Sequence, residues 1–68
     1  MDGSLIRKLR TEKKMTIAEL SQLSQIAPST ISMVENGQRN PSIGTLERLA
    51  EALGVEVVVL LEKKNEGD

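Results

Sequence analysis

The chain has 68 residues, a formal net charge of −1, and neither cysteine nor histidine. This length allows one small hydrophobic core. The missing residue types exclude disulfides, thiolate chemistry and an ordinary transition-metal site, so we expect no cofactor and no metal. The longest apolar run spans residues 57–61, too short to cross a bilayer, and no signal-peptide core follows the first charges. These features predict a cytoplasmic protein without a membrane partner.

The sequence contains no aromatic residue, so it lacks the stacking platforms that single-strand and RNA binders use. If the protein binds nucleic acid, this absence favours a duplex. Residues 1–40 carry six basic and four acidic side chains, whereas residues 41–68 carry three and six. The basic half would face a polyanion, although on charge alone ordinary solvated charge is the simpler explanation.

The first predicted element is a helix that is capped by Asp2 or Ser4 and ends near Lys14. Its apolar positions at helical spacing are Leu5, Ile6 and Leu9.

Thr16 and Glu19 have the spacing of a capping box, in which each side chain accepts a hydrogen bond from the other residue's backbone N–H. This pair predicts a second helix from Ile17 to about Ser24. Its inward residues are predicted to be Leu20 and Leu23.

A short turn over residues 25–27 is followed by Pro28, which suits the first position of a helix because its fixed φ is helical. Ile31 and Val34 lie three apart on the inward face of this third helix. Gly37 follows Asn36 and ends it by adopting a left-handed conformation.

Residues 38–41 form a loop, and Ser42 is predicted to cap a fourth helix that Gly54 ends. The apolar positions of that helix are Ile43, Leu46, Leu49, Ala50 and Leu53. The valine-rich segment after Gly54 favours a strand, with a fifth helix as the competing interpretation. A lone strand leaves backbone groups unpaired, so we expect it to pair antiparallel with a second copy.

Taken together, residues 6–55 resemble the repressor/Cro (XRE-type) family of helix-turn-helix proteins. The matching segments are residues 6–10, 15–16, 19–20, 29–32, 34–37, 39–42 and 53–55, and their joint spacing carries the resemblance. The family implies a mostly α, lambda-repressor-like fold. We expect four helices over residues 1–54, and a strand where the family usually has a fifth helix. Residues 55–62 would be a dimerisation strand, which resembles the ending of HipB-like antitoxins, and residues 63–68 a flexible tail.

The resemblance also implies roles for individual residues. Those that match base-reading positions are Pro28, Ser29 and Met33. Those that match phosphate contacts are Thr16, Ile17, Thr30, Asn36, Gln38 and Arg39. Arg10 and Glu35 match a pair that joins the first helix to the end of the third, which we expect to be partly buried. The dimer contacts would come from Val55, Val57, Val58, Val59, Leu60 and Leu61.

Two further positions depart from the family pattern. Ile17 stands where the family often has a phosphate-binding glutamine, which leaves only backbone N–H groups for that contact. Gln25 stands where the family turn often has glycine, so slight strain is expected there. Met33 could instead pack in the hydrophobic core, as methionine commonly does. Arg39 could instead be a solvated charge in a loop.

Two hypotheses of function follow. The first is a sequence-specific transcriptional regulator, in the simplest case a repressor, that binds a palindromic DNA operator as a homodimer. The alternative is a protein-interaction module that has kept the fold, such as the antitoxin partner of a toxin protein. An enzyme is not expected, since histidine, cysteine and a glycine-rich phosphate loop are all missing.

Overall fold

The computed structural model describes residues 3–61, and within them five α-helices follow one another along the chain. They are α1 (Gly3–Glu12), α2 (Ile17–Ser24), α3 (Pro28–Glu35), α4 (Ile43–Leu53) and α5 (Val57–Leu61). The predicted bounds of α2, α3 and α4 are confirmed. α1 ends two residues before the predicted Lys14, and Ser4 lies inside it rather than at its cap. Asp2 and the predicted tail over residues 63–68 lie outside the described residues.

The helix ends follow local capping rules. Thr16 accepts a hydrogen bond from the backbone N–H of Glu19 at 3.0 Å, and Glu19 accepts one from that of Thr16 at 2.8 Å, which completes the predicted capping box. After α3, Gly37 has a φ of 77°, and the next backbone N–H, that of Gln38, reaches back to the Met33 carbonyl at 2.8 Å. These bonds satisfy backbone groups that a helix end leaves unpaired.

The turn between α2 and α3 is closed by a strained residue. Gln25 has φ 60° and ψ 35°, a left-handed conformation that glycine adopts without steric cost. The hydroxyl of Ser21 donates to the carbonyl of Ile26 at 2.6 Å, which fixes the far side of the same turn. The strain expected from glutamine at this position is therefore present.

The core is aliphatic, as the composition requires. Its fully buried large side chains come from all five helices: Ile6, Leu20, Ile31, Val34, Leu49, Leu53 and Leu60. The inward orientation predicted for Leu23 is wrong, because that side chain is 61% exposed. The buried residues of α2 are instead Leu20 and Ser24, which are four positions apart and so share one helix face. The Ser24 hydroxyl donates to the Leu20 carbonyl at 2.7 Å. Ile43 is exposed as well.

The predicted C-terminal strand is wrong: residues 57–61 form the helix α5, and no strand occurs among residues 3–61. Tertiary packing overrides the β preference of the valines here. Leu60 is fully buried in the core and Val57, one helical turn earlier, packs against it. Because residues 57–61 are helical, they offer no strand edge for the HipB-like pairing across a dimer.

Two further features bear on function. None of the helices in the described part of the chain is long and apolar enough to cross a membrane. No group of three or more carboxylates within residues 3–61 is placed to hold a metal ion.

Gly3 lies where α1 crosses the end of α3, and a Cβ atom built on it would fall 1.8 Å from the Val34 carbonyl oxygen. We expect Gly3→Ala to lower the free energy of unfolding by about 1–3 kcal/mol, because backbone has to move. Gly44, in α4, is the matched control, since a Cβ atom added there would meet only the Ser42 hydroxyl within 4 Å, at 3.9 Å. Gly44→Ala should raise stability by about 0.5–1 kcal/mol. Urea unfolding of both variants would measure this, and equal effects would contradict the close approach of α1 to α3.

Candidate nucleic-acid interface

The outer face of α3 is small, polar and open. Ile31 and Val34 are buried on one side of the helix, and Ser29, Met33 and Asn36 lie on the opposite side of the helical wheel. Ser29 and Pro28 are exposed, whereas Met33 is half-buried. An exposed helix face of this kind fits the major groove of B-form DNA. The three predicted base-reading residues therefore lie together at the start and along the outside of one helix.

A buried ion pair holds this helix in place. The Glu35 side chain is only 1% exposed and that of Arg10 is 12% exposed. Arg10 donates to both carboxylate oxygens, from Nε at 2.7 Å and from Nη2 at 3.1 Å. These hydrogen bonds raise the pKa of Arg10, burial lowers it, and the carboxylate charge raises it further. The net direction is upward, so the guanidinium stays charged, and the pair is partly buried, as expected.

The same guanidinium also holds the loop before α2. Nη1 of Arg10 donates to the carbonyl of Met15 at 2.8 Å. Met15 precedes Thr16, and Glu35 precedes Asn36, so Arg10 holds the neighbour of each of two predicted phosphate-binding residues. The start of α2 and the end of α3 are consequently fixed to one side chain of α1.

At the start of α2, much of the donor capacity is already used. The capping box engages the backbone N–H groups of Thr16 and Glu19. The N–H groups of Ile17 and Ala18 belong to the first turn of α2, where a helix supplies no acceptor. The Ile17 side chain packs against the core. Only its backbone is therefore available to a phosphate, as expected from the missing glutamine.

A residue of α1 that the sequence did not single out contacts the end of α3. Nη2 of Arg7 donates to Oδ1 of Asn36, and Nε of Arg7 lies 3.4 Å from a carboxylate oxygen of Glu35. The available signal was spacing, because Arg7 precedes Arg10 by three residues and so shares its helix face. The remaining predicted phosphate residues differ in setting: Gln38 and Arg39 are exposed in the loop after α3, and Thr30 is half-buried.

The predicted dimer residues divide between core and surface. Leu60 is fully buried, while Val58 is 61% and Leu61 40% exposed. Val55 and Val57 pack partly against the core. Together with Ala50 they line a groove between α4 and α5, which Glu47, Glu51 and Glu56 also line. The exposed apolar surface of α5 thus adjoins a partly apolar groove.

Comparison with known proteins gives one family. A family model described as helix-turn-helix matches residues 6–60. The transcriptional regulator SinR of Bacillus subtilis is 40% identical over 67 residues, which is 97% of this chain and 60% of SinR. The immunity repressor protein of Bacillus phage phi105 is 34% identical over 59 residues, 87% of this chain and 41% of that protein. The chain thus spans only part of the length of both relatives.

The fold is shared as well. A crystal structure of SinR, the master regulator for biofilm formation, in complex with DNA superposes with a TM-score of 0.85. Sequence identity in that comparison is 36%, and it covers 91% of this chain and 100% of the other.

Removal of one partner of the buried pair should be costly. We expect Glu35→Ala to lower the free energy of unfolding by about 3 kcal/mol, near the low end for a broken buried pair, because Arg10 keeps some contact with solvent. Glu12→Ala, at an exposed glutamate of α1, is the matched control and should change it by less than about 0.5 kcal/mol. Thermal unfolding measures both variants. A Glu35→Ala protein that melts with the parent would show that the pair does not stabilise the fold.

Proposed function

The chain belongs to the helix-turn-helix family, and we propose that it is a sequence-specific regulator of transcription that binds an operator in duplex DNA as a homodimer. The observation that carries this proposal is the open outer face of α3, flanked by the start of α2 and the end of α3, both of which Arg10 holds. The family match confirms the resemblance to the repressor/Cro proteins. This family consists of DNA-binding regulators and not of enzymes.

Base reading and phosphate contact are carried out by different residues. The base edges are read by Pro28, Ser29 and Met33, because apolar side chains can contact the methyl group of thymine and a hydroxyl can donate a hydrogen bond to a base edge or accept one. The residues that contact phosphates, which set the register of the protein on the duplex without reading sequence, are Thr16, Ile17, Thr30, Asn36, Gln38 and Arg39. The mode of action is repression by operator occupancy, in keeping with the name of the phage relative. The place of action is the cytoplasm.

Selection of bound duplexes from a random pool tests the function directly. We expect a palindromic site, and affinity that falls by about 10³–10⁵ between 50 and 200 mM salt if the dimer makes about 6–10 phosphate contacts. A pool that shows no sequence enrichment would contradict the proposal. The toxin–antitoxin alternative has no observation in its favour.

Base reading and phosphate contact can be separated by two substitutions. Met33→Ala should relax preference at one or two positions of the site and cost about 1–3 kcal/mol of binding free energy. Arg39→Ala should weaken all sequences about equally. Arg48→Ala, which removes the same charge from the exposed face of α4, is the control for Arg39. Fluorescence anisotropy on the selected site and on single-base variants measures these effects. An unchanged preference in Met33→Ala would show that α3 is not the reading helix.

The homodimer is proposed to form through the exposed apolar surface of α5, with residues 1–54 left to bind DNA. Val58 and Leu61 form that exposed surface, and Val59 is half-buried. The surface lies beside the groove that Val55 and Val57 line. A two-fold pairing of this surface would hold two α3 helices at a fixed separation, and adjacent major grooves on one side of a duplex require about 34–36 Å. A palindromic operator follows from that symmetry.

Charge introduced on α5 should therefore separate the subunits. We expect Val58→Asp to sediment as a monomer where the parent is a dimer, and to lose affinity for the full palindrome but not for one half-site. Leu23→Asp is the matched control, because Leu23 is also 61% exposed but lies on α2; it should stay dimeric. Sedimentation equilibrium decides between the outcomes. A dimeric Val58→Asp, or a monomeric parent, would rule out this interface.

A further inference from the structure

The structure assigns a role to Arg7, which we infer to be a positioning residue that turns the side-chain amide of Asn36 so that it donates to a DNA phosphate. The inference rests on the proposed function and adds to it a residue outside the expected phosphate-binding set. It follows from the contacts of Arg7 with Asn36 and Glu35.

Arg7 is not needed to neutralise the buried carboxylate. Arg10 already supplies two donors to Glu35, at 2.7 and 3.1 Å. The contact of Arg7 with the same carboxylate is longer, at 3.4 Å, and the Arg7 side chain is 50% exposed. Charge-assisted hydrogen bonds are usually about 2.7–2.9 Å long, and exposed ion pairs contribute little to stability. The main effect of Arg7 is therefore exerted through its hydrogen bond to Asn36.

That contact fixes which way the Asn36 amide faces. A guanidinium has only donors, so the atom of Asn36 that faces Arg7 must be the carbonyl oxygen Oδ1. The amide nitrogen, with two N–H groups, is consequently directed away from Arg7. Asn36 is exposed, and the hydrogen bond that its side chain makes within residues 3–61 is the one that Oδ1 accepts from Arg7. A phosphate oxygen accepts hydrogen bonds only, so this orientation presents the group that a phosphate can bind.

An unheld asparagine would bind less well for two reasons. Its side chain would have to be ordered on binding, and half of its orientations would present the carbonyl oxygen to a negative phosphate. Arg7 lowers both costs before DNA arrives, because its hydrogen bond to Oδ1 already orients the Asn36 amide in the free protein. The positive charge of Arg7 also polarises the amide and strengthens its donors.

A double-mutant cycle on the selected operator tests the inference. Arg7→Met and Asn36→Ala should each weaken binding, on the order of tenfold per half-site, the scale of one hydrogen bond to a charged group. The double variant should be weaker than Asn36→Ala alone by no more than the loss that Lys8→Met causes, because the positioning effect of Arg7 needs Asn36. Lys8→Met is the matched control, since Lys8 is the exposed neighbour of Arg7 on α1 and its ammonium makes no ion pair in the described chain. The loss in Arg7→Met beyond that in Lys8→Met should persist at 200 mM salt.

Several results would overturn the inference. Losses that multiply in the double variant would mean that Arg7 contacts DNA by itself. A loss equal to that of Lys8→Met would mean that only its charge matters. Binding by Asn36→Ala as tight as the parent's would remove the phosphate contact while leaving the proposed DNA binding intact, whereas a parent that binds no duplex would refute the proposed function itself.

Two measurements keep the test decisive if Arg7→Met folds poorly. Asn36→Asp keeps the acceptor for Arg7 and removes both donors, so it should stay as stable as the parent in thermal unfolding and bind DNA more weakly than Asn36→Ala. In DNA-free protein, the side-chain amide resonances of Asn36 should shift in Arg7→Lys, whose ammonium cannot reproduce a planar fork. Unshifted resonances, or an Asn36→Asp protein that binds like the parent, would contradict the role of Arg7.

Discussion

A carboxylate that leaves water must be met inside the protein by donors that replace its hydration. Glu35 meets this requirement with Nε and Nη2 of Arg10 and, at longer range, with Nε of Arg7. Among the described residues no buried side-chain nitrogen or oxygen is left without a hydrogen-bond partner. Because both arginines belong to α1, the charge requirement sets where α1 lies against the end of α3. The close approach of Gly3 to the Val34 carbonyl is part of the same contact.

The geometry of the candidate nucleic-acid interface depends on the Arg10–Glu35 pair. Arg10 reaches the loop before α2 through the Met15 carbonyl and reaches the end of α3 through Glu35. Contacts to phosphate and to bases require different elements to keep a fixed separation. Here that separation depends on a single planar side chain with several donors, for which lysine would be a poor substitute.

Most of the helical framework could be predicted because its signals are local. The Thr16–Glu19 capping box, Pro28 and the two glycines after α3 and α4 each act through backbone geometry within a few residues, and the helix bounds followed from them. The Arg10–Glu35 pair required the family pattern, since its partners are 25 residues apart.

The predictions that were wrong concern features that depend on tertiary packing. Leu23 has the helical spacing of an inward residue of α2, but the buried face of α2 contains Ser24 instead. Residues 57–61 are apolar throughout, so neither a two-residue nor a 3.6-residue period is visible in them, and valine content then favoured a strand. The helical form of this segment is favoured by the burial of Leu60 in the core, which the sequence alone does not reveal. The contact of Arg7 with Asn36 spans 29 residues and has no sequence motif.

The lengths of the helices tie recognition to folding. α2 and α3 have eight residues each, well below the about 12–15 residues at which an isolated helix becomes even marginally stable in water. α3 also has no side-chain cap at its start and buries only Ile31, Val34 and Glu35. Its helical form is therefore maintained by contacts with α1 and α2, and one of its three buried residues is the charged partner of Arg10. If Glu35 loses that partner, the loss falls on the helix that carries Ser29, Met33 and Asn36, so weaker folding and weaker DNA binding must appear together.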